Sequence, residues 1–136
     1  MNSQTGGCLC GSVTYRVDGP LRDVLHCHCA NCRRVSGNFV ASSGSATDDL
    51  VITDLGRSLR WYDLGYARYG FCSTCGSSLF WQGAEHTDRT SIQAGSLDDA
   101  SSISLAGVWF ADEAQPHVTL DHSVPHFPRN DGGGDV

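Results

Sequence analysis

The sequence predicts a mainly β protein, a single domain of short antiparallel strands with little helix, stabilised by zinc. Three observations support this prediction. Short β-favouring runs recur along the 136-residue chain, and glycine or aspartate separates most of them. Few stretches carry a helical period of useful length. Seven cysteines, placed as two pairs and a triplet, have the spacing of metal ligands.

The predicted elements follow one another as short segments. The run "SVTYRVD" alternates with a period of two, as expected of a strand with one buried face. Further strands are predicted in "DLVIT", "SLRWYDL", "SLFWQ", "RTSIQAGSL" and "ISLAGVWF". A helix of one or two turns is predicted from Asn31 to Val35, because Ser36 and Gly37 follow it. Glycine suits the left-handed position after a helix.

The folded domain is predicted to span residues 7–127. Residues 1–6 have the character of a loose lead-in, and the end "RNDGGGDV" is polar and rich in glycine. We therefore expect residues 1–6 and 128–136 to be flexible. A chain of this length buries a core of its own, so zinc is not needed merely to compensate for small size.

Composition argues against several classes of function. The formal net charge is -6 and the chain has no lysine, so neither a basic face nor nucleic-acid binding is expected. No run of about 18 apolar residues occurs, and "MNSQTGGC" lacks the features of a signal peptide, so we expect no membrane span and no secretion. Seven cysteines is an odd number, which disfavours a fully paired disulfide framework. These features predict a cytoplasmic protein.

Two cysteine pairs have the spacing of one closed zinc site. Cys8 and Cys10 are two residues apart, so on an extended segment both thiols point to the same face. Cys72 and Cys75 form the two-residue knuckle that brings two sulfurs within reach of one ion. Together they provide the four thiolates of a structural zinc. The alternatives are buried free thiols or a redox dithiol, although "SSLFWQGAEHTD" does not have the long helix of a thioredoxin-like motif.

The remaining cysteines, Cys27, Cys29 and Cys32, form a triplet with no fourth cysteine. Zinc held by three protein ligands keeps a position for water or substrate, which is the pattern of a catalytic site. His26 and His28 are possible fourth ligands. Side chains of adjacent residues on an extended segment point to opposite faces, however, so a triplet that converges on a metal turns both histidines away.

Three residues next to the triplet are candidate substrate contacts. Arg33 and Arg34 have the forked geometry that binds carboxylates, or they are solvated charges that balance a metal-thiolate cluster. Large aromatic residues of a small β domain usually pack in its core. Phe39 follows the triplet closely and is the aromatic residue for which a pocket role is predicted.

Four stretches, in this order and spacing, resemble the glutathione-dependent formaldehyde-activating enzyme family, which includes the centromere protein V domain: "GGCLCGSVTYRV", "HCHCANCRRVSGNFV", "FCSTCGSSLFW" and "IQAGSLDD". The resemblance implies a β-tent fold with two zinc ions. It assigns a structural zinc to Cys8, Cys10, Cys72 and Cys75, and a catalytic zinc to Cys27, Cys29 and Cys32. It also implies a carbon-sulfur lyase of the S-(hydroxymethyl)glutathione synthase type, whose reactants are a small thiol such as glutathione and a small aldehyde such as formaldehyde.

Two other classes of function fit the same residues. A non-enzymatic zinc module for a protein partner would have a triplet that is vestigial or closed by histidine. A thiol redox or metal sensor would use the cysteines themselves. The sequence alone does not fix the oligomeric state.

Overall fold

The computed structural model describes residues 3–129, and within this range ten strands accompany one short α-helix. The strands are β1 (Gln4–Gly7), β2 (Thr14–Val17), β3 (Val24–Cys27), β4 (Val40–Ala46), β5 (Leu50–Thr53), β6 (Leu59–Asp63), β7 (Ala67–Cys72), β8 (Ser78–Gly83), β9 (Arg89–Gln93) and β10 (Leu105–Trp109). The helix is α1 (Ala30–Ser36), and single 3-10 turns lie at Thr47–Asp49, Ala94–Ser96 and Ala111–Glu113.

The strands form two sheets. The smaller sheet has the order β1-β2-β5, and the larger sheet has the order β10-β3-β4-β9-β8-β7-β6. Every pairing is antiparallel except that of β10 with β3, among the residues described. The prediction of a mainly β fold with little helix is confirmed, and the parallel pair lies at one edge of the larger sheet. Most of the chain separates β3 from β10, so no tight hairpin dictates their direction.

The core lies between the two sheets. Tyr15 and Val17 of β2 are buried and face Phe80 and Ile92 of the larger sheet. The Tyr15 and Phe80 rings meet edge to face with centroids 5.3 Å apart, a favoured aromatic geometry. Alternate residues of β2 are exposed, as the period of two in its sequence predicts.

The predicted helix is confirmed together with its stop signal. Gly37 follows α1 with φ of +88° and donates its backbone N–H to the Arg33 carbonyl. This left-handed conformation is one that glycine adopts without steric cost. The helix begins one residue before the predicted Asn31 and ends one residue after Val35. No helix in the described part of the chain is long and apolar enough to cross a membrane.

Residues 4–6 were assigned to a loose lead-in, and this is wrong because they belong to β1. Gly6 pairs with Tyr15 of β2, and the space that a Cβ of Gly6 would need is taken by the Tyr15 hydroxyl and the Ser96 carbonyl. A glycine-rich segment therefore pairs closely here, although it lacks an alternating pattern. Residues 1–2 and 130–136 lie outside the described residues, so flexibility there stays a prediction, as does the domain span 7–127.

Candidate metal centres and the adjoining cavity

The four predicted structural ligands come together at the joint between the two sheets. The sulfurs of Cys8, Cys10, Cys72 and Cys75 all lie within 4.8 Å of one another. Cys8 Sγ is 3.7 Å from Cys10 Sγ, and Cys10 Sγ is 3.9 Å from Cys72 Sγ. A tetrahedral zinc with bonds of about 2.3 Å separates its sulfurs by about 3.8 Å. The four cysteines therefore fit a closed zinc site.

Hydrogen bonds around these cysteines favour metal binding. The Val13 N–H donates to Cys8 Sγ at 3.3 Å, and the Leu9 N–H donates to Ser77 Oγ at 2.9 Å, which ties the two cysteine loops together. The hydroxyl of Ser77 and its backbone N–H lower the pKa of Cys75 to about 5. Hydrogen bonds of this kind favour the thiolate form that binds metal.

The first pair does not lie on an extended segment, which is the arrangement considered from the sequence. β1 ends at Gly7, and Cys8 and Cys10 lie in the turn that follows it. The Gly11 N–H donates to the Cys8 carbonyl and closes this turn. Gly11 has φ of +82°, a left-handed conformation that suits glycine. Both halves of the site are thus tight turns.

The second cluster is built at the junction between a strand and a helix. Cys27 is the last residue of β3, Cys29 caps the N-terminus of α1, and Cys32 lies in the first turn of the helix. Cys29 Sγ accepts the backbone N–H of Cys32 at 3.4 Å. The three sulfurs lie within 4.8 Å of one another, and among residues 3–129 no histidine, aspartate, glutamate or further cysteine completes the group.

The charge balance of this triplet suits a cation. Hydrogen bonds from the Cys27 and Cys32 thiols lower the pKa of Cys29 to about 2. The Cys29 thiolate in turn raises the pKa of Cys27 far above its ordinary range. The Cys27 thiol lowers the pKa of Cys32, but Cys29 and burial outweigh it and raise that pKa to about 12. The protein thus stabilises one thiolate here, and a divalent ion would supply the charge that three require.

Tyr69 extends the triplet on its buried side. Its hydroxyl lies 3.6 Å from Cys32 Sγ, and both residues are buried. Burial, followed by the nearby Cys32, raises the pKa of Tyr69 well above its ordinary range, so the phenol stays protonated at neutral pH. A protonated phenol donates a hydrogen bond to a thiolate, which fits Tyr69 as a group that orients Cys32.

The two neighbouring histidines turn away from the triplet. The His26 and His28 rings stack on Phe39, with centroid separations of 4.6 and 4.9 Å. His28 is buried, and its backbone N–H donates to the Trp109 carbonyl at 3.1 Å. Burial lowers the pKa of both rings. Both rings therefore lie against Phe39, and neither histidine belongs to the cysteine group in the described part of the chain.

A cavity of about 760 Å³ opens beside the triplet, and all three of its cysteines line it. Trp109 is placed next to Cys27 by the pairing of β10 with β3. Tyr69 and Trp81 form a cross-strand pair of β7 and β8 and line the same cavity. The four-cysteine cluster contributes none of the lining residues among those described. The triplet therefore meets a space that accommodates a small molecule.

The three predicted substrate contacts do not line this cavity. Arg33 and Arg34 lie in the last turn of α1, and Phe39 packs on the two histidines. The cavity walls near the cysteines come instead from other residues: Tyr66, Tyr69, Trp81, Ser91, Trp109 and Phe110. Substrate contacts by Arg33, Arg34 and Phe39 stay predictions.

Comparison with known proteins agrees with this geometry. A family model described as "Glutathione-dependent formaldehyde-activating enzyme" matches residues 3–113. The chain belongs to this family. The glutathione-dependent formaldehyde-activating enzyme match includes all seven cysteines, so both clusters lie within it. The family assigned from the cysteine motifs is confirmed.

A solved structure has a similar fold. A crystal structure of a Rhodobacter sphaeroides protein, determined as a target of Northeast Structural Genomics, has a TM-score of 0.60 to this chain at 23% identity. The match covers 75% of this chain and 99% of that chain. At this identity the likeness shows the fold alone. A search of curated proteins gave no match.

Proposed function

We propose that the protein is a zinc-dependent carbon-sulfur lyase that forms or cleaves the adduct of a small thiol with formaldehyde or a related aldehyde. One observation carries this proposal: the three-cysteine cluster, which has no fourth ligand among residues 3–129, lines a cavity large enough for such an adduct. Glutathione and formaldehyde are the reactants that the family description names.

The proposed reaction is balanced without any oxidant or reductant. In the forward direction the thiol sulfur bonds to the aldehyde carbon, the carbon-oxygen double bond becomes single, and the thiol proton ends on the oxygen. In the reverse direction the carbon-sulfur bond breaks and the hydroxyl proton returns to sulfur. Both directions pass through the same transition state, in which negative charge is shared between the sulfur and the oxygen, so the enzyme has to stabilise charge on both atoms.

Cys27, Cys29 and Cys32 would hold the catalytic zinc, and Cys8, Cys10, Cys72 and Cys75 the structural one. A zinc ion with a free position supplies Lewis acidity that lowers the pKa of a bound thiol and polarises a carbonyl oxygen.

Residues of the chain would act around the open position. Tyr69 orients Cys32 through its hydroxyl. Trp81 and Trp109 line the cavity and exclude water from its walls. Asn31 of α1 donates to the Tyr66 hydroxyl at 2.6 Å and so joins two parts of the cavity lining. All seven cysteines are unpaired, which suits a reducing compartment, and we place the reaction in the cytoplasm.

Exchange spectroscopy tests the proposal. NMR measures the rate at which formaldehyde exchanges between its hydrate and its glutathione adduct, with and without the zinc-loaded protein. We expect an accelerated exchange that Cys29→Ser abolishes. A protein that carries two zinc ions per chain and accelerates no thiol-aldehyde exchange would contradict the lyase proposal and favour a binding module.

A further inference from the structure

The charged side chains that line the cavity are acidic. Glu85 and Glu113 line it and are exposed, and no arginine is among the lining residues in the described part of the chain. The chain has no lysine at all. Zinc bound to three thiolates would add a formal charge of about -1 to the same cavity. His86, which also lines the cavity, is counted as neutral, so the formal charge of the lining is negative; it repels an anionic ligand and attracts a cation.

Aromatic side chains form much of the remaining wall. Tyr66, Tyr69, Trp81, Trp109 and Phe110 all line the cavity. Aromatic rings attract cations through their negative faces, and tryptophan and tyrosine do so most strongly. Aromatic walls with carboxylates at an exposed edge are the arrangement in which proteins bind ammonium groups.

Two buried polar atoms of the lining residues lack a partner. Trp109 Nε1 and Ser91 Oγ form no hydrogen bond within residues 3–129, although Trp109 is 8% exposed and Ser91 is 3% exposed. Buried polar groups of native proteins are normally satisfied. Both residues line the cavity, so a ligand with an oxygen acceptor is a natural partner for them.

We propose that the thiol substrate of this site carries a positively charged ammonium group rather than two free carboxylates. This inference rests on the proposed function, because it takes the cavity beside Cys27, Cys29 and Cys32 as the thiol site. The ammonium group lies against the aromatic walls near Glu85 and Glu113, and the sulfur faces the cysteine triplet. Glutathione, with two carboxylates and one ammonium group, is then a poor match for this cavity.

A binding experiment tests the charge preference without catalysis. Choline and 3,3-dimethyl-1-butanol have the same shape, and only choline is charged. Each is titrated into the zinc-loaded full chain while tryptophan fluorescence is recorded. We expect choline to bind about three- to tenfold more tightly, because cation-aromatic contacts at partly exposed sites contribute about two- to fivefold and the carboxylates of Glu85 and Glu113 add to that attraction. Equal affinities, or binding of neither probe, would overturn the inference.

Matched variants locate the binding. Glu113→Gln and Glu85→Gln each remove one carboxylate of the lining, and the double variant is expected to reduce the choline preference by about half or more, to the contribution of the aromatic walls alone. Asp48→Asn removes the same charge from an exposed residue outside the lining and should leave the preference unchanged. An unchanged preference in the double variant, or an equal reduction by Asp48→Asn, would overturn the assignment of the cation site to these carboxylates.

A kinetic comparison separates this inference from the proposed function. The same NMR exchange is measured with thiocholine, 2-mercaptoethanol, 3-mercaptopropionate and glutathione at one thiolate concentration. We expect thiocholine to give the largest acceleration. Faster exchange with 3-mercaptopropionate or glutathione than with thiocholine would overturn the inference and keep the lyase. Selective choline binding without acceleration for any thiol would overturn the lyase and keep the cation site.

Discussion

Cys72→Ser tests whether the four-cysteine cluster holds the two sheets together. Cys72 is fully buried in the core, and its sulfur lies 3.9 Å from that of Cys10, 62 residues away in the chain. Structural zinc contributes on the order of 10 kcal/mol to the folding of small zinc domains. Loss of about a third of that contribution would lower the melting temperature of a chain of this size by about 10 °C or more.

Cys29→Ser is the matched substitution in the other cluster. Serine is among the preferred residues at a helix N-cap, and its oxygen accepts the Cys32 N–H that Cys29 Sγ accepts now. The start of α1 is therefore preserved while one zinc ligand is lost. We expect a melting temperature within about 3 °C of the wild type, since one cap bond is exchanged for another of similar strength.

Circular dichroism melting and zinc analysis by plasma mass spectrometry check both substitutions. We expect Cys29→Ser to retain one zinc per chain and to lose the exchange activity, and Cys72→Ser to melt early. A Cys72→Ser variant with an unchanged melting temperature would refute the structural assignment. Unfolding of Cys29→Ser would refute the separation of the two sites, because it would show that the triplet also holds the fold.

Three further predictions concern single residues. Tyr69→Phe removes the hydroxyl beside Cys32 and should weaken zinc binding at the triplet by about tenfold, as measured by competition with a chelator, without a change in folded structure. Gly37→Ala places a Cβ at φ of +88° and should cost about 1–2 kcal/mol in urea unfolding, whereas Gly95→Ala, in open space without a positive φ, should cost less than half of that. Burial raises the pKa of Tyr15 to about 12. The protonated Tyr15 side chain should therefore contribute about 2–3 kcal/mol to the free energy of unfolding below pH 10, and this contribution should be lost as the pH rises towards 12. Tyr15→Phe should flatten that decline in stability.

The grouping of cysteines within each motif was predictable because their spacing is local. Two cysteines separated by one or two residues already lie close enough to share an ion, whatever fold surrounds them. The helix stop at Gly37 was predictable for the same reason, since the left-handed position after a helix depends on a few neighbouring residues. Cys8 and Cys72 are far apart in the sequence, so local spacing does not place them together. Their assignment to one site rested on the four ligands that a closed zinc site needs.

The cavity walls were not predictable from local pattern. Trp109 reaches Cys27 through the parallel pairing of β10 with β3, and Tyr69 reaches Trp81 through the register of β7 with β8. Registers between distant strands decide which residues share a face, and a single sequence does not specify them. Phe39 was chosen as a pocket residue because it is near the triplet in sequence, yet its ring packs on the histidines behind it.

Four strands, β1, β3, β4 and β7, were not predicted from the sequence, and each lacks a clear strand pattern. β4 is central in the larger sheet, but its sequence "VASSGSA" is small and polar. Ser43 is buried there because its hydroxyl donates to the Arg22 carbonyl at 2.6 Å. In β7, Gly70 leaves room for the Trp61 ring of β6. Of the remaining two, β1 contains two glycines and β3 is half-buried along its whole length, so neither shows an alternation of buried and exposed residues.

The two clusters differ in how much chain they constrain, and this difference assigns their roles. The four-cysteine cluster closes a loop of more than 60 residues, because Cys10 and Cys72 are 62 residues apart, so metal bound there offsets a large loss of chain entropy. The triplet spans six residues, and β3 and α1 already fix its ends by backbone hydrogen bonds. Metal bound at the triplet adds little to the fold. The triplet can therefore release or exchange ligands while the protein stays folded, which is a requirement for a site that turns over substrate.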